Sequence, residues 1–357
     1  MIDQKNISLD WINSVSRANK NADKILVEKV IRALLLLEGL VHNGIPFVFK
    51  GGTALMLHLK STKRLSIDID IILPEIPEDF DARLDAIAIQ QGFIRKEEQV
   101  RQTETAISKK HYKFFYTPLH QTNKEEEYIL LDILLEDVNY RELIQLPVES
   151  SFVPSTGDSL LVNIPSLEDL LGDKLTAFAP NTTGIPYVKN EDSMSMEIIK
   201  QLYDVGNLFD VANNIDILKA TFNSFAIAEL AYRTGDDNRL EIQHVLEDIY
   251  ETALCIVSRG TDGKGNYEEL LTGIQRVNPF IFSENYHLEK AIVHASKAAY
   301  LSTLIKYDAD KIEKFENPLQ VKDWLITDPH YNKLNKLKKS NPEAFFYWYN
   351  IFELVRK

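Results

Sequence analysis

The sequence predicts an α+β protein in which a domain of mixed strands and helices precedes a mostly helical domain. Up to about Ile164, apolar runs typical of strands are interspersed with helical patterns. From Pro165 onward the apolar spacing is predominantly helical. The chain has 357 residues, enough for two domains. We therefore predict one domain over residues 1–164 and a second over residues 165–357.

Apolar periodicity and turn residues define the elements of the first domain. A helix is predicted from about Asn21 to Asn43, because Gly44 and Pro46 cannot continue it. The other predictions are a strand at Phe47–Phe49, a helix at Thr53–Leu59, a strand starting at Ser66, a helix at Asp79–Gln91, strands at Lys109–Thr117 and Tyr128–Glu136 around a polar loop at Gln121–Glu127, and short strands at Leu146–Val153 and Leu160–Ile164.

The second domain begins with a capped helix. Ser166 suits the N-cap, and the helix continues to about Phe178. A polar loop is predicted at Pro180–Asp192, followed by a helix at Met196–Val211. Helical spacing then continues to the C-terminus.

Composition restricts the function classes. The net charge of -13 argues against a broad basic surface but leaves room for a local basic groove. The single cysteine, Cys255, excludes internal disulfides and is interpreted as a core residue. No signal peptide and no membrane-spanning run is present, so we expect a cytoplasmic protein without a membrane partner.

A glycine turn after the first strand is a candidate phosphate site. Gly51 and Gly52 separate the Phe47–Phe49 run from a helix that starts near Thr53. Glycines let a phosphate approach the backbone, and a helix N-terminus favours an anion. The Thr53 hydroxyl would add a donor at the same point. Taken alone, the two glycines also fit a purely steric turn.

The next strand supplies carboxylates. Alternation places Ser66, Asp68 and Asp70 on one face of this strand. Two neighbouring carboxylates suit Mg²⁺ or Mn²⁺, although a solvated polar face would look the same. A phosphate-binding turn together with a divalent-metal strand predicts a nucleotidyltransferase site.

Two further residues of this region could act on the nucleotide. Asp132 lies in a continuous apolar run, so we expect both faces of its strand to be buried and the carboxylate to be paired, metal-bound or protonated. It would serve as a third metal ligand or as a general base, and a buried salt bridge to an arginine is the alternative. Arg64 could bind a phosphate, or could simply be an exposed arginine.

The second domain contains a lysine and an aspartate that are candidate site residues. Lys174 lies on the apolar side of its helix, so a triphosphate, Asp173 or another acid should pair with it. Asp204 lies one helical turn from Lys200, which would also fit a surface ion pair. The remaining candidates are interpreted as structural: His42, His58 and His111 lack zinc spacing, and the aromatic run Phe345–Tyr349 suits helix packing.

These motifs resemble the AbiEii/AbiGii-type nucleotidyltransferase toxins of bacterial abortive-infection and toxin–antitoxin systems. The resemblance covers roughly residues 45–210 and rests on these blocks: Lys50-Gly51-Gly52-Thr53-Ala54-Leu55, Arg64-x-Ser66-x-Asp68-x-Asp70, Leu131-Asp132-Ile133, Lys174-Leu175-x-Ala177 and Lys200-x-x-x-Asp204. The family often has arginine where this chain has Lys200.

The resemblance implies a polymerase-β-like core with a mixed sheet and a helical C-terminal lobe. It further implies that Asp68 and Asp70 hold the metals, that Gly52 and Thr53 bind the triphosphate, and that Lys174 and Asp204 complete the site. Gly51, Arg64 and Ser66 are expected to contribute to nucleotide binding beside them.

The resulting functional prediction is a Mg²⁺-dependent transfer of NMP from an NTP to RNA. The resemblance implies the acceptor end of tRNA as the target, a toxin role in abortive infection, and a separately encoded antitoxin. Two alternatives stay open: transfer to a small molecule such as an aminoglycoside-like antibiotic, and a catalytically inactive binding module.

Overall fold

The computed structural model describes residues 1–59, 63–99, 108–120, 124–234 and 240–356. These residues form two compact units. The first contains residues 1–166 together with residues 279–285, and the second contains residues 167–278 and 286–357. Residues 121–123 of the predicted polar loop lie outside the described ranges.

The first unit contains both helices and strands, which confirms the α+β prediction for this part of the chain. Its helices are α1 (Leu9–Ala18), α2 (Lys24–His42), α3 (Gly51–Leu59) and α4 (Phe80–Gln90). Its strands are β1 (Val48–Lys50), β2 (Ile69–Ile72), β3 (Arg95–Glu98), β4 (Ser108–Tyr116), β5 (Glu127–Leu135), β6 (Leu143–Pro147) and β7 (Leu161–Pro165).

The second unit is mostly helical, as predicted. Its helices are α5 (Leu167–Ala177), α6 (Ser195–Val211), α7 (Ile215–Thr234), α8 (Ile242–Val257), α9 (Tyr267–Arg276), α10 (Leu288–Lys306), α11 (Leu337–Ser340) and α12 (Pro342–Val355). Two short strands, β8 (Val188–Lys189) and β9 (Asp192–Ser193), form a hairpin. Short 3-10 helices occur at Gln4–Asn6, Asn278–Phe280, Pro318–Val321 and Asn332–Lys336.

A five-stranded mixed sheet, in the order β1-β2-β5-β4-β3, organises the first unit. Strands β2 and β5 are parallel, and the other neighbouring strands are antiparallel. One face is covered by α2 and α4, and its buried side chains are Tyr112, Phe114 and Tyr116 of β4 and Ile129, Leu131 and Ile133 of β5. The other face of β4 and β5 carries the polar residues described below.

The start of β2 differs from the prediction. The strand begins at Ile69 rather than Ser66. Strand β1 ends at Lys50, because α3 starts at the next residue, so the segment before Ile69 has no β1 partner. The carbonyl of Asp68 accepts a hydrogen bond from Thr53 Oγ1 at 2.7 Å, outside any strand ladder. Asp68 therefore precedes the strand, whereas Asp70 belongs to it.

Helix α1 was not predicted, and three strand elements were not predicted at their observed positions. Strand β3 is charged at every position, so it lacks an apolar pattern and depends on pairing with β4. Strand β6 begins at Leu143 rather than Leu146. The β8–β9 hairpin lies in the predicted loop Pro180–Asp192, and its turn residues Asn190 and Glu191 both have positive φ.

The core of the second unit contains the aromatic residues of α12. Phe345 and Trp348 are fully buried, and Trp348 Nε1 donates a hydrogen bond to Ser296 Oγ at 3.0 Å. The interpretation of Phe345–Tyr349 as helix packing is thus confirmed for the buried rings. Cys255 is also buried, as expected, and burial raises the pKa of its thiol. None of the helices in the described ranges is long and apolar enough to cross a bilayer.

Shortening a side chain in the core of the sheet should destabilise the first unit strongly. Phe114 is fully buried and packs edge-to-face on Phe93, with ring centroids 5.4 Å apart. We expect Phe114→Ala to lower the free energy of unfolding by about 3–5 kcal/mol. The exposed Ile89 supplies the control, since Ile89→Ala should change it by less than about 0.5 kcal/mol. Urea unfolding followed by circular dichroism compares the two, and equal midpoints would contradict the packing assignment.

Candidate active site

Four side chains form a row across the sheet of the first unit. Lys50 of β1 pairs in register with Asp70 of β2, Asp70 pairs with Asp132 of β5, and Asp132 pairs with His111 of β4. Register partners place their side chains on the same face. Neighbouring strands are about 4.8 Å apart, so the two carboxylates lie side by side with a cation and an imidazole at the ends. These four residues and Lys109 line one cavity of about 200 Å³.

The strand that carries Asp132 is buried on one face only. Asp132 itself has a side chain that is 30% exposed, so the expectation of burial on both faces is wrong. The neighbouring Leu130 and Leu134 are also only half-buried. The apolar run misled the prediction because leucines on the open face of β5 look like core residues in the sequence.

Asp132 is held by a histidine rather than by an arginine. His111 Nδ1 lies 2.5 Å from Asp132 Oδ1, so the alternative of an arginine salt bridge is wrong. Sequence reasoning treated His111 as structural and missed this contact. The signal that could have found it is the hairpin register, because aligning Lys109–Thr117 against Tyr128–Glu136 brings position 111 opposite position 132.

Gly51 lies directly against the carboxylate of Asp70. Its φ is +79°, a conformation that favours glycine. A Cβ atom at this position would lie 2.1 Å from Asp70 Oδ2, which is far inside van der Waals contact. The turn therefore requires glycine for its backbone conformation and also for the space that the Asp70 carboxylate occupies.

Arg64 and Ser66 lie against the N-terminus of α3. A Cβ atom at Gly52 would be 2.6 Å from Ser66 Oγ and 2.7 Å from Arg64 Nη2. Arg64 is only 8% exposed, so the alternative of an exposed arginine is wrong. Its Nη1 donates a hydrogen bond to the Leu65 carbonyl at 3.2 Å. A guanidinium, a hydroxyl and the first N–H groups of a helix thus converge, which is a chemical environment for an anion.

Thr53 and Asp68 differ from the expectation. Thr53 is fully buried, and its hydroxyl donates to the Asp68 carbonyl. The hydroxyl therefore ties α3 to the segment before β2, and its proton is used in that hydrogen bond. The backbone N–H of Thr53 is the group that suits phosphate binding.

The metal prediction can be tested against the carboxylate geometry. Among the described residues, no group of three or more His, Cys, Asp or Glu side chains is arranged to hold a metal ion. Asp70 and Asp132 are neighbours across β2 and β5, whereas Asp68 precedes the strand. Two adjacent carboxylates fit an oxygen-ligated divalent ion. The complete set of three predicted ligands is not assembled.

The second unit holds a buried ion pair. Lys174 Nζ lies 3.3 Å from Asp204 Oδ2 and donates a hydrogen bond to Gln201 Oε1 at 3.0 Å. Asp204 is 1% exposed, so its interpretation as a surface partner of Lys200 is wrong. Lys200 instead lies 3.7 Å from Glu197. The prediction that an acid pairs with Lys174 is confirmed.

The sequence family follows from a match over more than half of the chain. A family model described as the nucleotidyl transferase AbiEii toxin of a type IV toxin–antitoxin system matches residues 35–274. The chain belongs to the AbiEii nucleotidyltransferase toxin family. This AbiEii-family protein is therefore a nucleotidyltransferase that uses an NTP, and its family is one of toxins with a separately encoded antitoxin.

Solved structures of similar proteins include three with low sequence identity. MenT4, a nucleotidyltransferase toxin from Mycobacterium tuberculosis, is 14% identical with a TM-score of 0.49, and the match covers 92% of this chain and 98% of MenT4. JHP933 from Helicobacter pylori is 15% identical with a TM-score of 0.42, covering 80% and 94% of the two chains. A putative nucleotidyltransferase from H. pylori is 16% identical with a TM-score of 0.42, covering 81% and 97%. Comparison with curated protein sequences found no significant match.

Gly51→Ala should inactivate the AbiEii-family protein by displacing Asp70. The new methyl group would occupy the space of the carboxylate, and displacement of a reacting group by about 1 Å costs about a hundredfold in rate. Gly92→Ala is the matched control, because Gly92 has φ of +71° but no atom within 4 Å of the added Cβ. Both variants should lose about 1–2 kcal/mol of stability from backbone strain, and Gly92→Ala should keep its activity. Labelled-NTP incorporation and thermal melting measure the two effects; equal activities would contradict the clash.

Removal of one member of the Lys174–Asp204 pair should destabilise the second unit. Asp204→Ala leaves a buried ammonium group without its carboxylate, which costs about 3–5 kcal/mol. Lys200→Ala is the comparison, because the contact of Lys200 with Glu197 is partly exposed, and it should cost less than about 1 kcal/mol. The double variant Lys174→Met with Asp204→Leu should regain most of the loss, because it removes both charges. Denaturant unfolding of the three variants provides the measurement, and a cost for Asp204→Ala no larger than that for Lys200→Ala would show that the pair is unimportant for stability.

Proposed function

We propose that this AbiEii-family protein transfers NMP from an NTP to the 3′ end of an RNA, with tRNA as the acceptor, and that it acts as a toxin in abortive infection opposed by its antitoxin. The observation that carries the proposal is the row of Asp70 and Asp132 beside the glycine turn of α3. Family membership supports the toxin role and the NTP substrate.

Mg²⁺ or Mn²⁺ is proposed as the cofactor, with Asp70 and Asp132 as ligands, whereas Asp68, the third predicted ligand, precedes the strand. When bound, such an ion would lower the negative charge on the α-phosphate and favour ionisation of the attacking hydroxyl. Carboxylate oxygens are the donor type that these ions prefer, which supports the choice. The two adjacent carboxylates Asp70 and Asp132 supply the minimum donor set.

Asp132 is proposed as the group that accepts the proton of the acceptor hydroxyl. The hydroxyl oxygen attacks the α-phosphorus, the bond to the β-phosphate oxygen breaks, and pyrophosphate leaves. His111 fixes one carboxylate oxygen of Asp132 through the 2.5 Å contact, so the side chain is positioned before substrate binds. A preset orientation of this kind reduces the entropy lost at the transition state.

The triphosphate is proposed to bind where Arg64, Ser66 and the backbone of Gly51, Gly52 and Thr53 meet. Arg64 is almost completely buried at the N-terminus of α3, and a guanidinium can bind phosphate oxygens through two hydrogen bonds. Lys174 and Asp204, which the family resemblance adds to the site residues, form a buried ion pair within the second unit.

An RNA acceptor is favoured over a cationic antibiotic by the residues around the carboxylates. A small polycation needs an acidic pocket, but the cavity at Asp70 and Asp132 is also lined by Lys50 and Lys109. These ammonium groups suit an anionic acceptor. The alternative of an inactive binding module does not agree with membership of a nucleotidyltransferase family.

The proposal is tested by incubating the full-length protein with labelled NTPs, Mg²⁺ and total RNA. We expect label in RNA of tRNA size and loss of labelling with EDTA. Asp70→Asn should slow transfer at least about a hundredfold, which is the order of effect seen when an active-site group is removed. The control is Asp308→Asn, because Asp308 is almost fully exposed in the second unit. Label that appears only in a small acceptor, with none in RNA, would overturn the proposal.

A further inference from the structure

An open aromatic and basic surface continues from the carboxylate row across β4, β5 and β3. Its residues share the face of Asp132, and they are Lys109, Lys113 and Phe115 of β4, Tyr128 of β5, and Arg95 and Glu97 of β3. We call this set the open face. The opposite face of the same strands is the one that packs against α2 and α4.

The open face contains rings with cations beside them. Tyr128 is 37% exposed and lies next to Phe115, with ring centroids 5.8 Å apart. Lys113 Nζ is 4.3 Å from the Tyr128 ring centroid, and the Arg95 guanidinium is 3.6 Å from the Phe115 ring centroid. Unstacked nucleobases bind to aromatic rings and to guanidinium planes of this kind.

The basic side chains of the open face have two different roles. Arg95 is paired with Glu97 and Glu126, so its charge is largely compensated and it offers a planar surface fixed on Phe115. Lys109 and Lys113 have no carboxylate partner within the ranges that the structure describes. Their ammonium groups flank His111 at two residues on either side, where they can bind phosphates next to Asp132.

The position of the anion site determines the side from which an acceptor reaches the α-phosphate. Arg64, Ser66 and the glycine turn lie on the β1 and α3 side of Asp70. In-line displacement requires the attacking hydroxyl on the side opposite to the leaving pyrophosphate. That opposite side is β5 and β4, where the open face begins. Tyr128 is four residues from Asp132 along β5, about 13 Å, which is a distance that a few nucleotides span.

We propose that the open face binds the single-stranded 3′ end of the acceptor RNA, with its terminal hydroxyl at Asp132 and its preceding bases on Tyr128 and the Arg95–Phe115 stack. This inference rests on the proposed function, because it assigns the acceptor of that same site. Single-stranded RNA fits better than a duplex, since bases paired inside a helix cannot stack on protein rings.

Binding is tested without catalysis by fluorescence anisotropy of a labelled short single-stranded RNA, with the full-length protein and no NTP. Tyr128→Ala should weaken binding about tenfold through lost stacking, whereas Tyr128→Phe should bind like the unmodified protein. Tyr307→Ala is the control, because Tyr307 is a comparably exposed ring in the second unit. Unchanged affinity of Tyr128→Ala, or an equal loss in Tyr307→Ala, would overturn the inference.

A salt titration separates the phosphate contacts from stacking. Lys113→Ala should reduce the slope of log affinity against log salt by about 0.7, the value for one phosphate contact on a single strand. Tyr128→Ala should leave the slope unchanged, and Lys24→Ala, at an exposed position on α2, should change neither slope nor affinity. A slope for Lys113→Ala equal to that of the unmodified protein would contradict the phosphate role.

Transfer assays distinguish failure of this inference from failure of the proposed function. RNA labelling with an unchanged KM for RNA in Tyr128→Ala would reject the open face and retain the RNA transferase. Tyr128-dependent RNA binding with label only in small acceptors would reject the proposed function and retain the surface. With both correct, Tyr128→Ala raises the KM for RNA and leaves the KM for NTP unchanged.

Discussion

The juxtaposition of Asp70 and Asp132 on neighbouring parallel strands is the constraint on which the candidate site depends. Two carboxylates at the spacing of adjacent strands repel by about 3 kcal/mol at the effective dielectric of a protein surface. The sheet imposes this repulsion, since register alone places the two side chains together. Lys50 and His111 at the ends of the row offset part of it, and a bound divalent cation would offset more. The arrangement therefore favours positive charge entering between the strands.

Local motifs identified candidate residues within single segments more readily than residues that separate strands bring together. The glycine turn, Arg64 and Asp70 could be assigned because each residue type has a specific steric or chemical reason in its own segment. Lys50 and His111 were missed because their roles depend on strand register, which joins segments distant in the sequence. The register of each pair follows from the structure, in which both strands are present.

The errors in burial have a common physical origin. Asp132 was expected to be buried on both faces because leucines surround it, yet the open face of β5 carries some of those leucines half-buried. Asp204 was given a surface alternative because a lysine lies one turn away, yet its helix turns it toward Lys174. In both cases tertiary packing determines which face is buried, and the sequence pattern does not distinguish the two faces. The fold class was easier to predict, because it depends on the apolar spacing of long segments and not on single side chains.

Net charge is a poor guide to the partner of this protein. The chain carries a formal charge of -13, which suggests weak affinity for nucleic acid. Solvent and salt screen separated surface charges beyond about 10 Å, so the potential at the site is set by groups close to it. Near Asp132 these groups include Lys50 and Lys109, which line the same cavity, and Lys113, which lies on the same strand as Lys109. A negative total charge is therefore compatible with the proposed RNA acceptor, because an anionic strand would meet these lysines close to the carboxylates.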